Sequence, residues 1–196
     1  MSGSFDLSRT NGPLSYTATL FASRVKRPLH VDRSPSYVLR SLSDPTMNLG
    51  LELLGTFRQK HVSVTATYTY VHGRERVDGI EQDVALTPRH GAGIVTMWEA
   101  EDVGRAGLEF YYTGKQRLEE NPYRSVSEPY VILGFLGEKQ LGRLRLFLNA
   151  ENLTGVRQTR WDPLLRPSRA ADGRWTVDGW APLEGRNING GLRVRF

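Results

Sequence analysis

The chain has 196 residues, 39% of them hydrophobic, with 26 Lys and Arg against 21 Asp and Glu, a formal charge of +5 and no cysteine. That length suits one ordinary domain, and the lack of cysteine excludes a disulfide framework, a thiolate metal site and a cysteine nucleophile. No apolar run approaches the roughly 20 residues of a transmembrane helix, and the basic residues are dispersed rather than gathered on a helix or stripe, which argues against nucleic acid as a partner. The negative mean hydropathy of −0.43 leaves a membrane open, because alternating barrel strands average out on such a scale.

A secretory leader needs an apolar core of about 7–15 residues. The first twenty residues include Asp6, Arg9, Asn11, Gly12 and Pro13 and hold no such core, so an exported protein would be represented here by a mature form or a fragment. Residues 1–13 are Ser/Gly-rich and turn-prone and read as loosely ordered.

From residue 14 the pattern is a period of two, the signature of strands with one apolar and one polar face. A first strand is expected over Leu14 to about Val25, with Leu14, Tyr16, Ala18 and Leu20 on one face. Pro28, Pro35 and Pro45 punctuate the connection that follows, and Tyr37 to Leu42 reads as an outer extension of the next strand. A second strand, Met47 to Arg58, aligns Leu49, Leu51, Leu53 and Phe57. A third, Val62 to Val71, sets Val62, Val64, Ala66, Tyr68 and Tyr70 against Ser63, Thr65, Thr67 and Thr69.

The stretch from about His72 to Pro88 reads as a polar loop. Further strands are expected over about Arg89 to Ala100, Arg105 to Thr113, Ser127 to Glu138, Arg143 to Leu153 and Arg186 to Phe196. The sixth is apolar on both faces, so its outward set is ambiguous. The connections alternate long and short. That describes an all-β fold, an antiparallel up-and-down transmembrane β-barrel portion of about eight strands with short periplasmic turns and long extracellular loops. Aromatic residues agree: Tyr70, Tyr112 and Tyr130 fall near the long-loop ends and Phe57, Trp98 and Phe196 near the short-turn ends, as interfacial girdles do.

In their order and spacing, Val64-Thr-Ala-Thr-Tyr-Thr-Tyr70, Leu86-Thr-Pro-Arg-His90, Gly107-Leu-Glu-Phe-Tyr-Tyr-Thr-Gly114, Asn149-Ala-Glu-Asn-Leu153 and the Arg195-Phe196 ending resemble the C-terminal part of the β-barrel of bacterial TonB-dependent outer-membrane receptors. The resemblance covers residues 14–196 and omits the plug domain and TonB-box. It implies residence in the outer membrane of a Gram-negative bacterium, and Phe196 as the signal read by the barrel assembly machinery. The parent activity it implies is uptake of iron-siderophore, cobalamin or similar scarce nutrients. The implied partners are outer-membrane lipid and lipopolysaccharide, the remaining strands and plug of the parent receptor, and TonB only through the missing plug region. Alone, such a piece is expected not to transport. The competing reading is a self-contained eight-stranded barrel with a structural or adhesion role. Small barrels fill their interiors with side chains, whereas the Ser and Thr inward set of the third strand suits a wide lumen closed by a separate plug.

No catalytic site is expected. His30, His61, His72 and His90 lack zinc-ligand spacing, Gly91-Ala-Gly93 lacks the helix of a dinucleotide fingerprint, and no Gly-x-Ser-x-Gly elbow occurs. No metal, no cofactor and no enzymatic activity is therefore predicted. Asn152-Leu-Thr154 reads as the close of a strand rather than a glycosylation acceptor. The lumen-facing charges Glu52, Glu109, Arg145, Glu151, Arg193 and Arg195 read as cross-strand ion pairs and plug contacts, with cargo contact as the sharper alternative. The last long loop concentrates Arg157, Arg160, Trp161, Arg166, Arg169, Arg174, Trp175 and Trp180, followed by Arg186. Guanidinium forks and aromatic faces suit an anionic ligand or lipopolysaccharide phosphates. Asp162, Asp172, Asp178 and Glu184 offset that charge, and local ion pairing is the favoured reading.

Overall fold

The computed structural model describes residues 1–32 and 37–195. Twelve strands are present among them: β1 (Ser2–Asn11), β2 (Leu14–Val25), β3 (Leu29–Asp32), β4 (Val38–Ser41), β5 (Thr46–Gln59), β6 (Val62–Val77), β7 (Ile80–Asp83), β8 (His90–Ala100), β9 (Gly104–Thr113), β10 (Tyr130–Leu141), β11 (Leu144–Glu151) and β12 (Asn187–Val194). The main sheet is antiparallel throughout, in the order β1-β2-β5-β6-β8-β9-β10-β11-β12, with β7 added to β6. The expected all-β, up-and-down architecture is what the chain forms. Pro35 and Phe196, both invoked above, lie outside the described residues.

Residues 1–13 depart from the expectation of loose order. β1 pairs with β2 along its whole length, from Ser2↔Ser23 to Asn11↔Leu14. The turn signal at Gly12 and Pro13 closes a hairpin, with Gly12 at φ 58. Phe5 and Leu7 face the same side as Leu20 and Ala18, while the Thr19 hydroxyl donates to Asp6 and Ser8 meets Thr17 at 2.9 Å. Small residues hid an alternation that cross-strand pairing makes explicit.

The region read as a loop from His72 is also extended. β6 continues to Val77 and folds back into β7 about Asp78 (φ 51) and Gly79 (φ 82). An Asp-Gly pair with both φ positive is the turn that matches strand twist. The segment Tyr37 to Leu42 does not lengthen the next strand: β4 pairs with β3 in a separate hairpin, where Arg40 donates to Asp32 at 2.6 Å. β10 begins at Tyr130, three residues later than expected.

Register carries one apolar face across the main sheet. Leu20, Leu51 and Tyr70 pair in succession, as do Ile94, Phe110 and Leu133. Leu146 then pairs with Leu192. The register also settles β10: Val131, Leu133 and Phe135 share the apolar face, whereas Tyr130, Ile132, Leu136 and Glu138 share the polar one. Tyr130 therefore belongs to the polar face rather than the outer girdle, where Tyr68, Tyr70 and Tyr112 stand.

The outer set is open: Phe5, Leu108 and Leu192 are 67%, 60% and 66% exposed. A contiguous apolar surface of this extent marks a membrane or protein contact. Nine strands make up the main path, so β1 and β12 run in the same direction, and among the described residues no pairing joins them. The buried apolar side chains, Leu42, Leu118, Ala150, Val156 and Trp180, lie almost wholly in the long connections.

Candidate functional site

Short turns at Gly12-Pro13, Lys60-His61, Glu101-Asp102-Val103 and Gly142-Arg143 mark one end of the sheet; the long connections gather at the other. The connection between β11 and β12 starts at Asn152, which takes a left-handed conformation (φ 49) and is buried. Its side-chain amide donates to the carbonyls of Val156 (2.7 Å) and Glu184 (3.1 Å), while its Oδ1 accepts from the Val156 amide at 3.0 Å. Asn tolerates that backbone region and bonds locally, so one residue ends β11 and ties the two ends of a loop of more than thirty residues together. The reading that this Asn closes a strand agrees with that geometry.

Above it sits a polar core. Gln158, fully buried, donates to the Asp178 carbonyl at 3.0 Å and accepts from the Trp180 amide at 2.8 Å. Trp180 packs on Trp161 with ring centroids 5.3 Å apart, and its carbonyl accepts from Gln116 at 3.0 Å. Asp162, also buried, accepts from Arg124 at 2.8 Å, and Arg124 lies over the Trp180 ring at 5.8 Å. Arg124 comes from the connection between β9 and β10. Two loops thus share one core, and sequence reading missed Arg124, Gln116 and Gln158 because nothing local signals contacts whose partners lie 20 to 64 residues away.

The predicted loop cations divide accordingly. Arg174 binds Asp172 and, at 3.2 Å, Glu120, and lies over Tyr37 at 4.8 Å. Burial pushes the Asp172 carboxyl up, but the amide and guanidinium of Arg174, which both donate to it, outweigh burial and hold it below its ordinary range. Arg166 reaches Glu120 at 3.7 Å and donates to the Thr176 carbonyl. Arg186 donates to the Leu153 carbonyl at 2.7 Å. Arg169 covers the Trp175 ring at 5.2 Å. Arg157, Arg160 and Arg169 are exposed and make no ion pair among the described residues. Local pairing thus occupies Arg166 and Arg174, while Trp161 and Trp180 are packing residues.

The polar-face charges are not one cluster. Glu109 and Glu151 flank Gly134 beneath residues 182–185 and line a cavity of about 460 Å³ with Tyr111 and Asn187. Arg145 stands at the short-turn end, bound to Glu138 at 3.0 Å; Glu138 also takes Arg105 at 3.3 Å. Arg193 lies directly opposite Arg145, and both line a small cavity with Arg195. Glu52 sits apart from both groups, between Thr19 and Thr69. Of the six, Arg145 alone makes a cross-strand ion pair among the described residues.

An antiparallel wall with an apolar face, a polar face, short turns at one end and a packed loop cap at the other defines a transmembrane β-barrel portion. Solved structures agree. The chain is similar to the ferric-catecholate import receptor Fiu from E. coli K12 (16% identity, TM-score 0.66, 97% of this chain and 27% of that one). It is similar to the ferric yersiniabactin uptake receptor FyuA from Yersinia pestis (15%, 0.69, 100% and 30%) and to the copper transporter OprC (14%, 0.69, 100% and 31%). The expected likeness to the barrel of TonB-dependent receptors is thereby borne out at the level of fold. The chain spans under a third of the length of each. Its sequence matches no family model and no curated protein.

Proposed function

We propose that this chain is a portion of the barrel wall of an outer-membrane uptake receptor, the C-terminal portion of a TonB-dependent one, serving active uptake of a scarce nutrient such as an iron-siderophore chelate or cobalamin. The carrying observation is the open nine-stranded sheet whose edge strands β1 and β12 run in the same direction. Closing it on itself would need a parallel seam, whereas an odd number of added strands closes it with antiparallel pairs throughout. Unpaired backbone groups in lipid cost several kcal/mol each, so both edges call for partners. This favours completion by further strands over a self-contained barrel.

In this reading the polar face looks into a lumen holding a plug, the apolar face meets lipid, and the loop cap faces the exterior. Phe196 serves as the assembly signal. Arg157, Arg160 and Arg169, with Trp175, are the loop residues left to meet lipopolysaccharide or cargo. Glu52, Glu109 and Glu151, with Arg193 and Arg195, are left for plug or cargo. The chain has no enzymatic role, and TonB reaches the receptor only through the plug region. Membrane fractionation tests the setting: the chain is expected in the outer membrane, released by detergent and not by high salt. Deletion of Phe196 is expected to lower that yield. Recovery in the soluble fraction would refute the reading. Purified chain in liposomes is expected to give no specific uptake of a ferric siderophore; uptake by the chain alone would refute incompleteness.

A further inference from the structure

A cavity of about 650 Å³ lies between the β6–β7 hairpin and residues 115–117, and one of its lining residues, Gln116, donates to the Trp180 carbonyl of the loop cap. Its wall carries Arg74, Arg89, Lys115 and Arg117, and Asp83 as its one carboxylate. Val71, Val84, Val126, Pro129 and Tyr112 supply an apolar floor. Volume and lining fit a small-molecule site, which typically takes about 300–1,000 Å³.

The arginines are held from behind. Asp83 accepts from Arg74 at 3.1 Å and from Arg89 at 2.8 Å. Arg117 is fixed by Glu75 at 2.8 Å and by the Asp83 carbonyl at 2.5 Å. Lys115 makes no ion pair among the described residues. Glu75 behind Arg117 and Glu81, 3.5 Å from Arg74, complete the balance of the wall, so Lys115 is its surplus cation; the guanidinium forks are already oriented, and little further ordering is needed when an anion arrives. The backbone is similarly constrained: Leu86 keeps φ 53 and its amide donates to the Arg117 carbonyl at 2.9 Å. A branched side chain in that region persists only where surroundings over-determine it.

We propose that this cavity binds an oxyanion, a carboxylate or phosphate group carried on an apolar body, with Arg89 and Lys115 as the contacting cations. Arg117 and Asp83 act as positioning residues. Such chemistry has two sources, a free anionic solute or the phosphates of lipopolysaccharide at this end of the sheet. The proposal takes its setting from the receptor reading above, but anion binding is measured without transport. Loss of binding would leave that reading intact, and loss of outer-membrane residence would leave the binding measurable.

The test is calorimetric titration of the full chain in neutral detergent, with citrate and inorganic phosphate as free probes. Lipopolysaccharide in mixed micelles, with and without its phosphates, forms the second arm. Saturable binding that weakens with added sodium chloride is expected. The double variant Arg89→Gln, Lys115→Gln is expected to lose about tenfold or more in affinity, as removal of charge-assisted contacts requires. Arg89→Lys, Lys115→Arg, which keeps the charge, is expected to stay within a few-fold and controls for folding. Preference for citrate or phosphate assigns the free source; preference for phosphorylated lipopolysaccharide assigns the lipid. Absence of saturable binding by every probe, or loss that follows Arg143→Gln at the opposite end instead, would overturn the proposal.

Discussion

The sheet and the loop cap of this chain keep opposite company. The main sheet leaves its large side chains uncovered, Leu108 and Leu192 among them, while the cap buries Gln158, Asp162 and Trp180 in a core of its own. Each is suited to a different solvent. A wall that presents Leu and Tyr across successive strands is stabilised when lipid covers it, and its backbone bonds are satisfied within the sheet. The cap instead pairs polar groups that it buries, through Asn152, Gln158 and the Arg124–Asp162 ion pair, while Asp162 Oδ2 and the Trp180 indole N–H stay without a partner among the described residues. Stability in the wall therefore depends on surroundings, and in the cap on internal complementarity.

That contrast can be broken or sharpened by substitution. The largest effect is expected in the wall: Leu108→Arg should cost about 2–4 kcal/mol in lipid vesicles, the penalty of a cation facing the bilayer middle. Thr69→Arg, on the polar face opposite Glu52, should stay within about 0.5 kcal/mol. Urea titration in vesicles reads both, and equal costs would abolish the distinction between faces. Next, Gln158→Ala should destabilise the cap by about 1–3 kcal/mol, because it strands the buried Trp180 amide. Limited proteolysis within 152–186 should then quicken while the sheet's unfolding midpoint holds. A joint loss of both would show that wall and cap are one cooperative unit.

Smaller still, Arg145→Gln should cost no more than about 1 kcal/mol by thermal unfolding, since Arg105 remains on Glu138 at 3.3 Å. The smallest effect is titration of Asp172. Its folded-state value is lowered by Arg174, so its contribution is complete above the ordinary carboxylate range and is lost as pH falls through the lowered value. Cap proteolysis should therefore rise at strongly acid pH in the native chain, and Asp172→Asn should flatten that rise.

Much of the wall was legible because alternation is local. Each side chain's face follows from its own strand, and the faces expected for Leu14 to Leu20, Val62 to Tyr70 and Leu144 to Ala150 are those observed. β10 was not legible, since its residues are apolar on both faces and only pairing with β9 and β11 orients Leu133 outward and Ile132 inward. β1 was hidden by small residues and a turn signal that looked like disorder. In the cap, the arginines were visible but their partners were not. Arg166 and Arg174 meet Glu120 across roughly fifty residues, and the cavity around Arg89 and Lys115 joins segments that share no motif.

By itself, then, the sequence determined the period of two, the polarity of most faces, the alternation of short turns and long connections, and the likeness to a receptor barrel. These rest on spacing and composition within single strands. Tertiary structure alone decided the place of β1, the inward set of β10, the parallel sense of the two edges and the pairing inside the cap. The reason is physical: register and loop packing are settled by contacts between residues far apart in the chain, and no single strand carries the information for its neighbour.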